Sequence, residues 1–214
     1  MPRGSAELTN SRREEIVAAC RKLYQTMSYR EITIKEIAEE TSFTRPSIYN
    51  YFETKEEIFL ALFQKEYEAF SEELDQLCFS EETLSPDELA SALAHALENR
   101  PMLLKLLSMN LYDMEDNSRL ERLTEFKTAY RESVFELDRC LRKFCPAFSE
   151  QTRISFLFAF LPFVFGLYPY TVATDKQKAA MERAGIEYSP VSTYELAFTG
   201  IRTLLRGLRE EGGL

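Results

Sequence analysis

The sequence predicts an all-α protein, and three observations carry that prediction. Glycine and proline are scarce, at seven and eight of 214 residues, while Leu, Glu, Ala and Arg are abundant. Apolar residues recur at three- and four-residue spacing along most of the chain. No stretch alternates polar and apolar residues with period two for long enough to make a strand. The chain is 45% hydrophobic and 29% charged, a composition that supports a globular core.

Residues 1–9 read as a flexible arm. A first helix is expected from about Ser11 to Met27, with Ile16, Ala19, Cys20, Leu23 and Tyr24 on its apolar stripe. Thr33 and Glu36 form a capping box for a short second helix, in which Ile34, Ile37 and Ala38 face inward and which ends near Glu40. Thr41, Ser42 and Phe43 make a tight link. Thr44 is placed to cap the third helix, with Arg45 and Pro46 in its first turn, where a missing N–H costs nothing. That helix is brief and ends near Phe52. Thr54 and Glu57 suggest another capping box, opening a long helix to about Leu77. Further helices are expected from Ser85 or Pro86 to Asn99, Pro101 to Tyr112, Ser118 to Phe144, Ser149 to Leu167 and Pro190 to Arg209, with a short helical turn at 175–184.

Charge is unevenly placed. The chain carries a net −9, but residues 1–55 hold nine Lys and Arg against eight Asp and Glu, and the remainder seventeen against twenty-seven. Only the N-terminal quarter tolerates a polyanion without strong repulsion. Two short helices joined by a three-residue link, and braced by a longer helix, make a helix-turn-helix. Its second helix is narrow enough for the DNA major groove. Thr44, with the N–H groups at the helix start, suits a phosphate, as does Lys55 at the start of the next helix. Tyr49 offers a hydroxyl to the DNA backbone. Arg45, Ser47 and Asn50 can reach base edges, while Ile48 and Phe52 turn inward.

The segment TIKEIAEETSFTRPSIYNYFETKEEIF, with Thr33, Ile37, Ala38, Tyr49, Phe52, Lys55 and Ile58 in register, resembles the DNA-binding signature of the TetR family of transcriptional regulators. The resemblance covers about 50 residues. It implies phosphate contacts at Thr33, Thr44, Tyr49 and Lys55 and base reading by Arg45, Pro46, Ser47 and Asn50. The chain departs from the family pattern at Ser42, where a turn glycine is usual, and at Pro46, where a small residue is usual. The resemblance further implies a helix-turn-helix domain over residues 10–54 and a helical ligand-binding and dimerisation domain over residues 55–214, with residues 55–79 as the connecting helix.

A dimer interface is expected from two helices. Ile154, Phe158, Leu161 and Phe165 form one seam, and Tyr194, Ala197, Ile201, Leu204 and Leu208 the other, so that two copies would build a four-helix contact. Because Phe156, Phe160, Phe163 and Leu167 cover the remaining surface, the first helix should be buried on both faces. Candidates for an apolar effector pocket are Met102, Leu106, Met109, Tyr112, Phe126, Tyr130, Phe163 and Tyr168, with His95 and Asn110 as polar handles. Pro162, Gly166 and Pro169 should interrupt the helix at the floor or lid of that pocket.

No catalytic set is present: there is one histidine and no glycine-rich loop. Cys20, Cys78, Cys140 and Cys145 form no C-x-x-C pair and read as buried reduced thiols rather than metal ligands. No cofactor is expected. The apolar run Ile154–Tyr170, broken by prolines, is slightly short for a membrane span, and the expected location is the cytoplasm. The expected function is that of a homodimeric repressor, bound to a double-stranded operator and released by a small, largely apolar ligand; the acidic C-terminal part favours a neutral or cationic ligand. The alternative is a family member with a structural or division-related role on DNA and no effector.

Overall fold

A computed structural model describes residues 3–80, 83–109 and 111–211. Among the described residues there are eleven α-helices and no strand. They are α1 (Arg3–Thr26), α2 (Ile34–Glu39), α3 (Arg45–Ile48), α4 (Lys55–Phe79), α5 (Pro86–Glu98), α6 (Pro101–Leu107), α7 (Leu111–Asp116), α8 (Leu120–Phe144), α9 (Glu150–Thr171), α10 (Asp175–Arg183) and α11 (Thr193–Glu211). They form two compact units. The first comprises residues 1–68 and 110–131, the second residues 69–109 and 132–214, so α4 and α8 each supply both.

The first unit closes over Ile16, Cys20, Ile32, Ile37, Ile48, Phe52, Ile58, Phe59 and Phe63, all fully buried. Tyr24 and Tyr29 meet the ring of Phe59 edge-on, at 5.1 and 4.9 Å, the geometry favoured by the aromatic quadrupole. The Thr33–Glu36 capping box of α2 forms as the sequence predicts. Residues 3–9 correct the expected arm: α1 begins at Arg3. Glu7 and Leu8 are good helix formers and nothing after Gly4 breaks the pattern, so propensity carries the helix about two turns beyond its expected start at Ser11.

In the second unit, α11 packs along α5 and against α9, and α6 packs on α9. Ser85 and Glu88 cap α5, which buries Leu89, Leu93, Ala94 and Leu97. Gly200 of α11 lies against Phe163 of α9: a Cβ there would lie 2.3 Å from the tip of the Phe163 ring. At Gly207, about two turns further along α11, an added Cβ would meet nothing within 4 Å. Gly207→Ala should therefore stabilise the protein, by up to about 1 kcal/mol of helix propensity, and raise its melting temperature. Gly200→Ala should lower the melting temperature, because overpacking of about 1–3 kcal/mol outweighs the same gain. Shifts in the same direction for both would remove the close contact as the reason for Gly200.

Further helix boundaries differ from expectation. The third helix stops at Ile48, and residues 49–51 form a turn, instead of running to about Phe52. The predicted helix over Pro101–Tyr112 is two helices. It stops at Leu107, where the Ser108 hydroxyl donates to the Lys105 carbonyl at 2.7 Å, and restarts at Leu111; serine competes with helix continuation in this way. The reverse holds in α9, which runs unbroken from Glu150 through Pro162 and Pro169 to Thr171. Each proline removes one ladder bond, but burial of Phe156, Phe160, Val164 and Leu167 on one face holds the helix together. The opposite face is not buried: Phe158 is 76% and Ile154 37% exposed. Length and composition would let α9 cross a membrane; its packing on α6 and α11 makes it a one-sided core helix instead. The loop after α10 turns at Gly185, whose φ of +71° favours a residue without a side chain, and Ile186 N–H closes back on the Met181 carbonyl at 2.9 Å.

Candidate nucleic-acid interface

The second and third helices are held by α1. Ile48 and Phe52 are fully buried, and the guanidinium of Arg13 lies 5.6 Å from the Phe52 ring centre. With those two residues inward, Thr44, Arg45, Pro46, Tyr49 and Asn50 are left exposed, and Ser47 is half-buried. Apart from Ile48, the side chains of residues 44–50 are thus open to solvent, Ser47 only in part. Arg45 reaches back to the Tyr49 hydroxyl at 3.4 Å.

Thr44 does not act as the predicted cap. Its hydroxyl pairs with the Ser47 hydroxyl at 2.9 Å, and no side-chain bond reaches a backbone N–H. Thr33 is exposed, but its hydroxyl is engaged with Glu36 and with the Lys35 N–H at 3.1 Å. Lys55 is half-buried. Its ammonium donates to the Tyr29 carbonyl at 3.0 Å and sits 3.9 Å from the centre of the Tyr29 ring. An ammonium has three N–H donors, so this anchorage fixes its place without exhausting it.

Three contacts that position this surface carry no signal in the local sequence pattern. The turn between α2 and α3 is tied to α1, because Glu15 accepts the Ser42 N–H at 2.6 Å. The Ser42 backbone and hydroxyl hold that carboxyl below the usual carboxylate range. No described residue other than glycine has a positive φ, so Ser42 replaces the usual turn glycine without backbone strain. Arg12, exposed on α1, donates to the Tyr51 hydroxyl at 3.2 Å and lies 5.6 Å from the Phe43 ring centre, which adds a cation beside α3.

The third is a clamp on the joint between α3 and α4. Glu57, with 0% of its surface exposed, does not complete the capping box expected with Thr54; its carboxylate accepts the Glu53 N–H at 2.8 Å instead. Arg119, just before α8, grips the same carboxylate through Nε at 2.6 Å and Nη2 at 2.7 Å, and reaches Glu53 at 3.1 Å. Burial pushes the Glu57 carboxyl up, but Arg119 and the backbone donors outweigh it and hold it below its ordinary 4.5. The Thr54 hydroxyl accepts the Glu57 N–H at 3.2 Å and donates to the Asn117 carbonyl at 2.9 Å.

The effector-pocket candidates divide between the two units. Phe126 and Tyr130 join Phe63 and Tyr67 in an aromatic cluster of the first unit, with ring centres 4.9–5.9 Å apart. Met102 and Leu106 are buried in the second unit, Met109 and Tyr168 are half-buried there, and Phe163 lies on Gly200. Two candidates are corrected. Tyr112 is 80% exposed, since the break at Ser108 releases α7 from the register of α6. His95 is exposed, opposite the buried stripe of α5, and stacks 4.3 Å from Tyr194 while facing Glu98 at 3.3 Å. Asn110 lies outside the described residues. A cleft of about 430 Å³ in the first unit is lined largely by polar groups, among them Arg13, Glu14, Lys65 and Glu125. That lining differs from the apolar pocket expected. No group of three or more metal-binding side chains occurs among the described residues.

The dimer candidates divide as well. On α9, Ile154 and Phe158 are exposed and Leu161 and Phe165 half-buried. On α11, Ala197 and Ile201 are fully buried within the subunit, and Tyr194 bonds Ser91 of α5 at 3.0 Å. The regular spacing on α11 therefore marks a face buried within the subunit, where α11 meets α5 and α9, and Leu204 and Leu208 are left half-buried.

Residues 16–62 match the family of bacterial regulatory proteins known as the tetR family, and residues 61–212 match the tetracyclin repressor-like C-terminal domain. A search of the curated proteins finds no match. Among solved structures, a TetR transcriptional regulator from Rhodococcus sp. RHA1 is similar at 15% identity and a TM-score of 0.56, over 93% of this chain and 96% of that one. The fatty acid degradation regulator FadR from Bacillus halodurans aligns at 17% identity and 0.59, over 91% and 98%. FadR from Bacillus subtilis, in complex with stearoyl-CoA, aligns at 18% and 0.53, also over 91% and 98%. At such identities the likeness is one of fold. The two family matches together run from the helix-turn-helix to the last helix, and this chain belongs to the TetR family of DNA-binding transcriptional regulators.

Proposed function

We propose that the protein is a cytoplasmic, homodimeric repressor that reads a two-part operator with α3 and leaves it when a small, largely apolar ligand binds the C-terminal helices. The observation that carries this reading is the outward surface of α3. Arg45 and Pro46 on α3, and Asn50 in the turn that follows it, stand exposed and are fixed from behind by Ile48 and Phe52. In this reading Arg45, Pro46, Ser47 and Asn50 meet base edges. Thr33, Thr44, Tyr49 and Lys55 meet phosphates, Lys55 from a position preset by Tyr29. Dimerisation supplies the second half-site, since paired reading helices must sit about 34 Å apart or a multiple of it. An effector acts by binding more tightly to a state whose reading helices no longer match that spacing. The same fold holds an acyl thioester in FadR from Bacillus subtilis, which supports an effector with a long apolar part.

Fluorescence anisotropy on DNA flanking the gene, at several salt concentrations, tests this. Lys55→Ala should weaken binding to all sequences alike and reduce the salt slope by about 1, while Asn50→Ala should relax the preference between operator and mutated operator by about 1–3 kcal/mol. Equal binding of operator and random DNA by the wild type would defeat the reading. Adding stearoyl-CoA or a cationic lipophile should release DNA in one case; a full screen without release would favour the role without an effector.

A further inference from the structure

Cys78 lies in the last two residues of α4 and Cys140 in the last two turns of α8, within the second unit. They are 62 residues apart in sequence, yet their sulfurs stand 2.7 Å apart, and neither is in a disulfide. A disulfide requires about 2.05 Å, so less than about 1 Å of closure separates the pair from a covalent bond. The two differ in access. Cys140 is fully buried and its Sγ also faces the Leu74 carbonyl at 3.5 Å. Cys78 is half-buried, at the edge of solvent.

The surroundings of Cys78 are basic on one side. Lys143 donates to the Cys78 carbonyl at 3.0 Å and to that of Ser80. Arg139, paired with Asp75 and Glu136 at 2.8 and 2.6 Å, lies 5.4 Å from the Phe79 ring centre. Burial keeps the Cys78 thiol above its usual range, against the pull of these cations, and it rests protonated at neutral pH. Attack by the thiolate is therefore slow at neutral pH and quickens as pH rises.

We propose that Cys78 and Cys140 are a reversible oxidation site, closed by hydroperoxides into a disulfide that staples α4 to α8. Cys78, the reachable sulfur, loses its proton and attacks the O–O bond of the hydroperoxide. It becomes a sulfenic acid, and the other oxygen leaves as an alcohol or as water. The Cys140 sulfur then attacks the sulfenic sulfur, its proton joins the departing hydroxyl, and water is lost. Two thiols and one hydroperoxide give one disulfide, one alcohol and one water, and a dithiol reductant restores the pair. Attack by the buried sulfur is intramolecular and needs no further access.

The test treats the full-length protein with hydrogen peroxide, then alkylates it under denaturing, non-reducing conditions and digests it. Expected are a fall in alkylatable cysteines from four to two, a peptide pair joining residues 78 and 140 within one chain, and full recovery with dithiothreitol. Cys140→Ser should stop at a sulfenic acid on Cys78 that dimedone traps, and Cys78→Ser should leave Cys140 alkylatable. Both sulfurs still alkylatable in the treated wild type, or Cys78 joined to another chain, would overturn the assignment. Circular dichroism of both serine variants confirms that each result comes from folded protein.

Discussion

Arg119→Ala is expected to destabilise the first unit by about 3 kcal/mol, read as a fall in the urea midpoint. The substitution strands a carboxylate. Glu57 has no exposed surface, and in the native chain two guanidinium N–H groups hold it at 2.6 and 2.7 Å. Removing one partner of a buried pair costs about 3–5 kcal/mol, because the survivor stays charged and dry. The lower end applies because Arg119 is 38% exposed, and because the backbone N–H groups of Glu53 and residue 119 still donate. Pairing Arg119→Ala with Glu57→Gln should recover part of the loss. If the double variant is as unstable as the sum of the singles, Arg119 acts through something other than this carboxylate.

The same pair sets a pH dependence with a definite sign. The Glu57 carboxyl is held below its ordinary 4.5 in the folded chain. The unfolded chain therefore binds the proton first as pH falls, and the pair's contribution is present above about 4.5 and lost as pH drops through the folded value. In Arg119→Ala burial is no longer opposed by the guanidinium, so the carboxyl moves upward and acid relieves the stranded charge. The stability gap between the two proteins should narrow below about pH 5. A gap constant between neutral and mildly acidic pH would exclude Glu57 as its source.

That clamp shows where local sequence reading ends. Ile48 and Phe52 are legible as inward residues because their four-residue spacing leaves only one buried face, and the Thr33–Glu36 box is legible because its partners lie three residues apart. Glu57 and Arg119 are 62 residues apart, and no periodicity relates them. The Glu15 bond to the Ser42 N–H, across 27 residues, escapes for the same reason. Prolines mislead in the other direction. Pro162 and Pro169 predict a break in α9, but a ladder bond lost at each is a local cost, and the burial of Phe156, Phe160 and Val164 is shared along the whole helix. On α11 the spacing identifies a buried stripe but not its partner: such a stripe reports burial, without saying whether α5 of the same chain or a second copy provides it.

The face of α9 is where that ambiguity can be resolved by experiment. If the protein dimerises as proposed, through α9, Phe158→Glu is expected to leave a monomer at micromolar concentration with the folded subunit intact. Phe158 is 76% exposed, so most of its ring lies outside the packing of its own subunit. In a two-fold dimer the same residue is lost from both sides. Each buried Phe contributes about 1.5–3 kcal/mol, and each glutamate must in addition shed water against an apolar partner. The dissociation constant should rise by at least about a hundredfold, equivalent to about 2.7 kcal/mol. DNA affinity should fall with it, because a lone subunit reads one half-site, whereas the far-ultraviolet spectrum and melting of the monomer should be close to normal. Phe160→Ala is the contrast: that ring is buried within the subunit, so its loss should cost about 3–5 kcal/mol of folding stability. Sedimentation equilibrium decides the matter, and a Phe158→Glu protein that remains a dimer at wild-type strength would move the interface away from α9.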